Sequence, residues 1–192
     1  MKGKFSTEMF WNLKGVMEYR DTESSETAYN KYLGKAEIQY AVTSKVILGG
    51  DAGYGTKEFF ESDTGREDSF LNAGVSSSFL LGKKAFGYIG YRYIINQSIS
   101  EEYDYSGYSI TGMLSFDIKS DYMAIQVLCQ YQQRDYHSGE RSGTLALKPV
   151  FLMTIRRNSK VLVGYQYLAN DDSDPLKDFV ENRYLAGLYI KF

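Results

Sequence analysis

The stretch Tyr184-Leu-Ala-Gly-Leu-Tyr-Ile-Lys-Phe192 ends the chain as an alternating segment, with Tyr184, Ala186, Leu188, Ile190 and Phe192 all apolar. Period-two alternation is the mark of a β-strand with one apolar face. One such segment decides little, so the test is whether the chain repeats it. Between Met9 and Arg20 one register reads Met9, Trp11, Leu13, Gly15, Met17, Tyr19, and the other reads Phe10, Asn12, Lys14, Val16, Glu18, Arg20. Similar segments follow near residues 29–41, 46–56, 71–81, 89–95, 108–118, 123–131, 145–153 and 161–167. With the terminal segment they make ten strands.

The last segment, ending in an aromatic, resembles the terminal strand of bacterial outer-membrane β-barrels. The resemblance implies an all-β fold, a ten-stranded antiparallel up-and-down transmembrane β-barrel whose last strand closes against the first. It also implies a bacterial outer-membrane location with both termini in the periplasm. The implied partners are membrane lipid, lipopolysaccharide, and a barrel-assembly machinery that reads Phe192.

The connections agree with that expectation. Segments 43–45, 82–84, 119–121 and 156–159 are tight and polar, whereas 21–27, 57–68, 97–106, 135–142 and 170–181 are longer and acidic. Short periplasmic turns and long extracellular loops are the membrane-barrel arrangement. A soluble lipocalin-like barrel also alternates but turns its apolar register inward. Tyrosine placement separates the two. Tyr19, Tyr32, Tyr54, Tyr93, Tyr108, Tyr131, Tyr167 and Tyr184 all fall in the apolar register near the long-loop ends of their strands. A bilayer interface selects such a girdle, because the ring sits among headgroups while the hydroxyl stays wet.

Composition is consistent once it is read by face. The mean hydropathy of −0.38 and 24% charged residues are compatible with a barrel, which needs only half of each strand to be apolar. The 192 residues show one pattern throughout, so a single domain spanning 1–192 is expected. The single Cys129 lies in the apolar register and reads as a small lipid-facing hydrophobe. No apolar leader follows Met1, which implies that a segment was removed: either a signal peptide, or the preceding part of a longer protein with a periplasmic scaffold. Pro149 cannot donate to a ladder, so a bulge or break is expected near 148–150. Residues 1 to 8 read as a strand extension or a tail.

The polar register carries Lys14, Arg20, Lys35, Arg92, Arg134, Lys148, Arg183 and Lys191 against Glu18, Glu37, Asp51 and Asp117. That leaves a lumen basic by about four charges inside a chain of net charge −2. Such charges either plug a narrow barrel with ion pairs or line a narrow anion passage. Small inward residues at Gly49, Gly53, Asn72, Gly74, Ser76, Ser78, Gly90 and Gly187 leave room. Phe10, Phe86, Tyr88, Tyr122, Leu128, Leu162 and Tyr189 fill it.

One catalytic constellation stands out. Asp135-Tyr-His137 and Glu61-Ser-Asp63 lie on the fourth and second long loops. The pairs resemble those of omptins, the ten-stranded outer-membrane proteases, in which an Asp-x-His pair and an acidic pair position a water at the barrel mouth. The resemblance is confined to these residues and the strand count. No metal-ligand cluster, cofactor motif or nucleic-acid signature occurs. The expected function is non-enzymatic: a narrow anion-favouring channel, an export conduit, or an anchor in an envelope assembly. The alternatives are a recognition barrel with contacts at Phe59, Phe60, Tyr103, Tyr105 and Tyr136, and third an omptin-like hydrolase.

Overall fold

A computed structural model describes residues 2–4, 8–20, 29–59, 66–99, 103–119, 123–156 and 159–190. Among them the chain is all-β, an antiparallel up-and-down sheet in sequence order. A three-residue strand β1 (Lys2–Lys4) precedes ten long ones. These are β2 (Met9–Arg20), β3 (Tyr29–Thr43), β4 (Val46–Phe59), β5 (Glu67–Leu80) and β6 (Ala85–Ser98), then β7 (Tyr105–Lys119), β8 (Met123–Tyr136), β9 (Arg141–Arg156), β10 (Ser159–Asp172) and β11 (Phe179–Ile190). The ten expected strands are present, and part of the N-terminal segment is neither extension nor tail. Lys2, Gly3 and Lys4 fold back to pair with Asn12, Trp11 and Phe10.

The long strands run 12 to 16 residues, where a tilted strand needs about 9 to 11 to cross a hydrocarbon layer. The surplus lies largely at the loop ends, where β4 continues to Phe59 and β5 already starts at Glu67. Four of the five long connections are correspondingly shorter than the alternation implies, the one between β2 and β3 being the exception. Residues 137–140 form a tight hairpin, closed by Tyr136 N–H to Glu140 O at 2.8 Å, with Gly139 at φ +91. At the opposite edge, Thr43 Oγ1 accepts from the N–H groups of Lys45 and Val46, both at 3.1 Å, which fixes the β3–β4 turn.

Pro149 breaks the β9–β10 ladder locally, as expected, but produces no bulge. Val127 faces Pro149 and the β9–β10 register is the same above and below it, from Gly164↔Val150 to Tyr167↔Leu147. Only the intervening rungs are missing from the ladder, as a residue without an N–H requires. The terminal strand, expected to close the sheet on the first, pairs with β10 alone among the described residues, and β1 lies along the foot of β2. Phe192 lies outside the described residues.

Burial inverts the usual order. Val75 is 63% exposed and Ile89 54%, and Leu48, Leu71 and Ile110 are exposed with them, while Asp68 is 2% and Asn96 3% exposed. The sheet shields its polar register and presents its apolar one.

Candidate functional site: the polar face

The polar register assembles into two tiers. The lower tier is a chain of charges across β2 to β6. Lys14 Nζ lies 3.0 Å from Glu37, Lys35 Nζ lies 2.9 Å from Glu37 and 3.4 Å from Asp51, and Arg92 reaches Asp51 at 3.0 Å. Asn12 adds an amide hydrogen bond to Glu37 at 2.8 Å. The ladders put Asn12, Glu37, Asp51, Gly74 and Arg92 in one row. Arg92 must therefore pass over β5, and it does so at a glycine: a Cβ on Gly74 would sit 3.1 Å from Asp51 Oδ1. Along the same row the wall continues as Ser109, Gln132, Thr144 and Asn170, all uncharged. At this level the face is charged on one flank and uncharged on the other.

The upper tier lies at the loop ends, beyond the tyrosines. Lys31 pairs with Glu18 at 3.2 Å, and Arg66 grips Asp68 with both Nε and a terminal nitrogen at 2.9 and 2.7 Å. Arg66 also stacks between the rings of Phe59 and Tyr103, at 4.1 and 3.5 Å. Burial pushes the Asp68 carboxyl up more than any other single influence, but the hydrogen bonds from Arg66, Ser98 and Asn96 together with the charge of Arg66 hold the group below its ordinary value. Lys57 stands over Tyr29 and Phe70, at 5.3 and 5.8 Å. Its ammonium is held below the usual lysine range, by burial first and then by the like charge of Lys31. Gly55 makes room for Phe70, whose Cζ would be 2.6 Å from a Cβ there. Arg134 faces the ring of Tyr105 at 5.3 Å, and its Nε is buried without a hydrogen-bond partner among the described residues.

Several expected lumen charges therefore meet. Lys14, Lys35, Glu37, Asp51 and Arg92 form one chain, and Glu18 belongs to the upper tier. Arg183 is tied along its own strand to Glu181 at 2.5 Å. Lys148 and Asp117 lie in the same register, outside any ion pair among the described residues. The side chain of Arg20 and all of Lys191 lie outside the described residues, as do Tyr122 and the Tyr189 side chain. Sequence reading missed Lys31, Lys57 and Arg66. Extending β3 and β4 by parity from Tyr32 and Tyr54 would have found Lys31 and Lys57.

On the opposite face the tyrosines occupy the apolar register. Tyr184 is 88% exposed, and Tyr19, Tyr32, Tyr54 and Tyr93 are exposed too, whereas Tyr108, Tyr131 and Tyr167 are half-buried. Part of that burial is mutual, since Tyr108 lies 6.0 Å from Tyr91 and 6.1 Å from Tyr131. Both Tyr108 and Tyr131 donate their hydroxyls to Gln133 Oε1, and Gln133 donates onward to Asp135. Asp135 thus faces outward, bound to Arg141 Nε at 2.7 Å. That hydrogen bond holds the Asp135 carboxyl below the ordinary aspartate range. His137 sits in the adjoining hairpin, its N–H donating to Asp104 O at 2.9 Å. Glu61, Asp63 and Phe60 lie outside the described residues. Two of the expected recognition aromatics, Phe59 and Tyr103, are engaged with Arg66, and Tyr105 packs against Tyr136 at 5.5 Å.

No protein-family model and no curated protein sequence matches the chain. Among solved structures it is similar to one described as "Outer-membrane expressed OmpT of Vibrio cholerae", with a TM-score of 0.69 at 9% identity. The match covers 96% of this chain and 77% of that one. The likeness is one of fold.

Proposed function

We propose that this chain is an integral outer-membrane β-barrel whose polar face encloses a narrow, anion-favouring passage. The inverted burial carries the membrane half of the reading. A sheet that exposes Val75, Ile89 and Leu48 while shielding Asp68 and Asn96 is unfavourable in water and favourable in hydrocarbon. The fold likeness to an outer-membrane protein supports the same setting. The short-turn edge, where β2 begins and β11 ends, would face the periplasm, and the tyrosine belt and loop acids would meet the outer leaflet and its lipopolysaccharide. The terminal strand and Phe192 would be the handle for the assembly machinery.

The anion preference rests on unequal pairing. The lower tier joins three cations to two carboxylates, while Lys148 and Asp117, both outside any ion pair among the described residues, offset each other. Fixed positive charge along a confined polar wall lowers the cost of admitting an anion. The ion pairs that link neighbouring strands span β2 to β6, and at their level the uncharged row of Ser109, Gln132, Thr144 and Asn170 would leave a path beside them. A recognition barrel is less well supported, because Phe59, Tyr103 and Tyr105 are engaged with Arg66 and Arg134.

The test is reconstitution in planar bilayers under a salt gradient. A small conductance whose reversal potential favours anions is expected, with Lys35→Gln or Arg92→Gln reducing or reversing the preference. A large cation-selective pore, or a folded barrel without conductance, would overturn the passage.

A further inference from the structure

We propose that the upper tier is a binding site for a phosphate dianion, captured between Lys57 and Arg134. The proposal rests on the reading of the polar face as an enclosed lumen. Four cations meet there: Lys31, Lys57, Arg66 and Arg134. Two have carboxylates, Glu18 and Asp68. The other two have rings. Lys57 is held against Tyr29 and Phe70, and Arg134 against Tyr105, with no carboxylate within ion-pair distance of either among the described residues. Phe70, Asn96 and Tyr105 stand in one row of the polar register, so the ring that carries Lys57 and the ring that faces Arg134 lie two strands apart on the same face. Lys57 accordingly feels the repulsion of Lys31, Arg134 and Arg66 as well as the attraction of Asp68.

Four cations against two carboxylates leave two positive charges. Ring faces help to hold a cation, but they do not replace the hydration it loses on burial. The Nε of Arg134 is buried and makes no hydrogen bond among the described residues. A guanidinium edge offers parallel donors that match two oxygens of a phosphate, and the lysine adds a point charge. A dianion would bring the described tier to neutrality. A carboxylate would leave one charge uncompensated.

The site is tested on the refolded barrel in a neutral sugar detergent, by calorimetric titration with inorganic phosphate. Saturable binding is expected. Lys57→Gln and Arg134→Gln should each weaken it at least tenfold, with partial recovery in Lys57→Arg. Lys45→Gln, at the opposite edge, should leave it unchanged. Heat-modifiable gel mobility reports whether each variant is folded. A second arm repeats the titration in nanodiscs containing phosphatidic acid. Undiminished binding of free phosphate there identifies a soluble phosphate ester as the natural ligand, whereas competition by the lipid identifies a headgroup phosphate. No binding by the unaltered protein, or binding that ignores both substitutions, overturns the proposal. Binding needs no current, so the two readings fail separately: phosphate binding without conductance removes the passage and keeps the site, and anion-favouring conductance without binding does the reverse.

Discussion

Arg92 reaches Asp51 from two strands away, one guanidinium nitrogen lying 3.1 and 3.0 Å from the two carboxylate oxygens, and the strand between them contributes only the bare backbone of Gly74. The glycine is thus what permits one ion pair to brace three strands. Gly74→Val would place its side chain against Asp51 and the Tyr91 carbonyl. The expected cost is about 1–3 kcal/mol, as for other overpacked positions, read as a lower urea midpoint for the refolded barrel. In a double-mutant cycle, Arg92→Gln and Asp51→Asn should couple by about 0.5–1 kcal/mol, because Arg92 is partly solvated. A Gly74→Val protein as stable as its parent would remove Gly74 from this role.

Orientation of the faces is tested by arginine substitution. Leu48→Arg and Ile125→Arg, on the exposed apolar register, should each cost about 2–4 kcal/mol of folding into lipid. Ser76→Arg, on the polar register beside Gly49, should cost markedly less. Equal penalties at the three positions in lipid-vesicle folding titrations would contradict the orientation.

The architecture was largely legible in the sequence because a lipid-facing register must be apolar at every second position, and ten segments obeyed. Legibility ended where that pressure ends. Beyond Tyr54 and before Leu71 the strands would leave the bilayer zone on the proposed reading, and there Lys57, Glu58, Glu67 and Asp68 break the alternation and read as a loop although they extend β4 and β5. The phosphate site is built from those residues, which is why Lys57 and Arg66 escaped notice while Arg134, on a longer alternating strand, did not. At Pro149 the expected local break is present and the bulge is not. A missing donor removes rungs from a ladder, but the neighbouring rungs hold the register. Nor does strand parity show a partner's reach, and the bridge over Gly74 is visible only in three dimensions.

The outer rim should show an acid response with a definite sign. The Asp135 carboxyl is lowered by its hydrogen bond from Arg141, and that of Asp172 by the Asp174 backbone N–H. A depressed folded value means that the stabilisation is present above the ordinary aspartate range near 3.9 and is lost as pH falls through the folded value. Carboxyl NMR titration should place both groups below that range, and Arg141→Gln should return Asp135 toward it while leaving Asp172 in place. An Asp135 midpoint indifferent to Arg141→Gln would show that the pair does not persist in solution.

Hydrolysis that depends on His137 is not expected. An omptin-like site needs Asp135 and His137 to hold a water at the barrel mouth, whereas Asp135 lies in the outward register, engaged by Arg141 and Gln133. The refolded barrel, incubated with a fluorogenic peptide library in the presence of lipopolysaccharide, should show no cleavage for His137→Ala to remove. Specific cleavage abolished by that substitution would restore the enzyme reading.

The membrane setting itself is best tested on Cys129, the only thiol in the chain, which lies on the apolar register and is exposed on the isolated protein. Its neighbour Gln130 faces the opposite way. In liposomes of the refolded protein, a charged water-soluble maleimide should leave Cys129 unmodified, while a lipophilic maleimide should label it. In Cys129→Ser/Gln130→Cys the water-soluble reagent should label the relocated thiol. Rapid labelling of Cys129 by the charged reagent in intact liposomes would show that the apolar register faces water, and would contradict the account at its foundation.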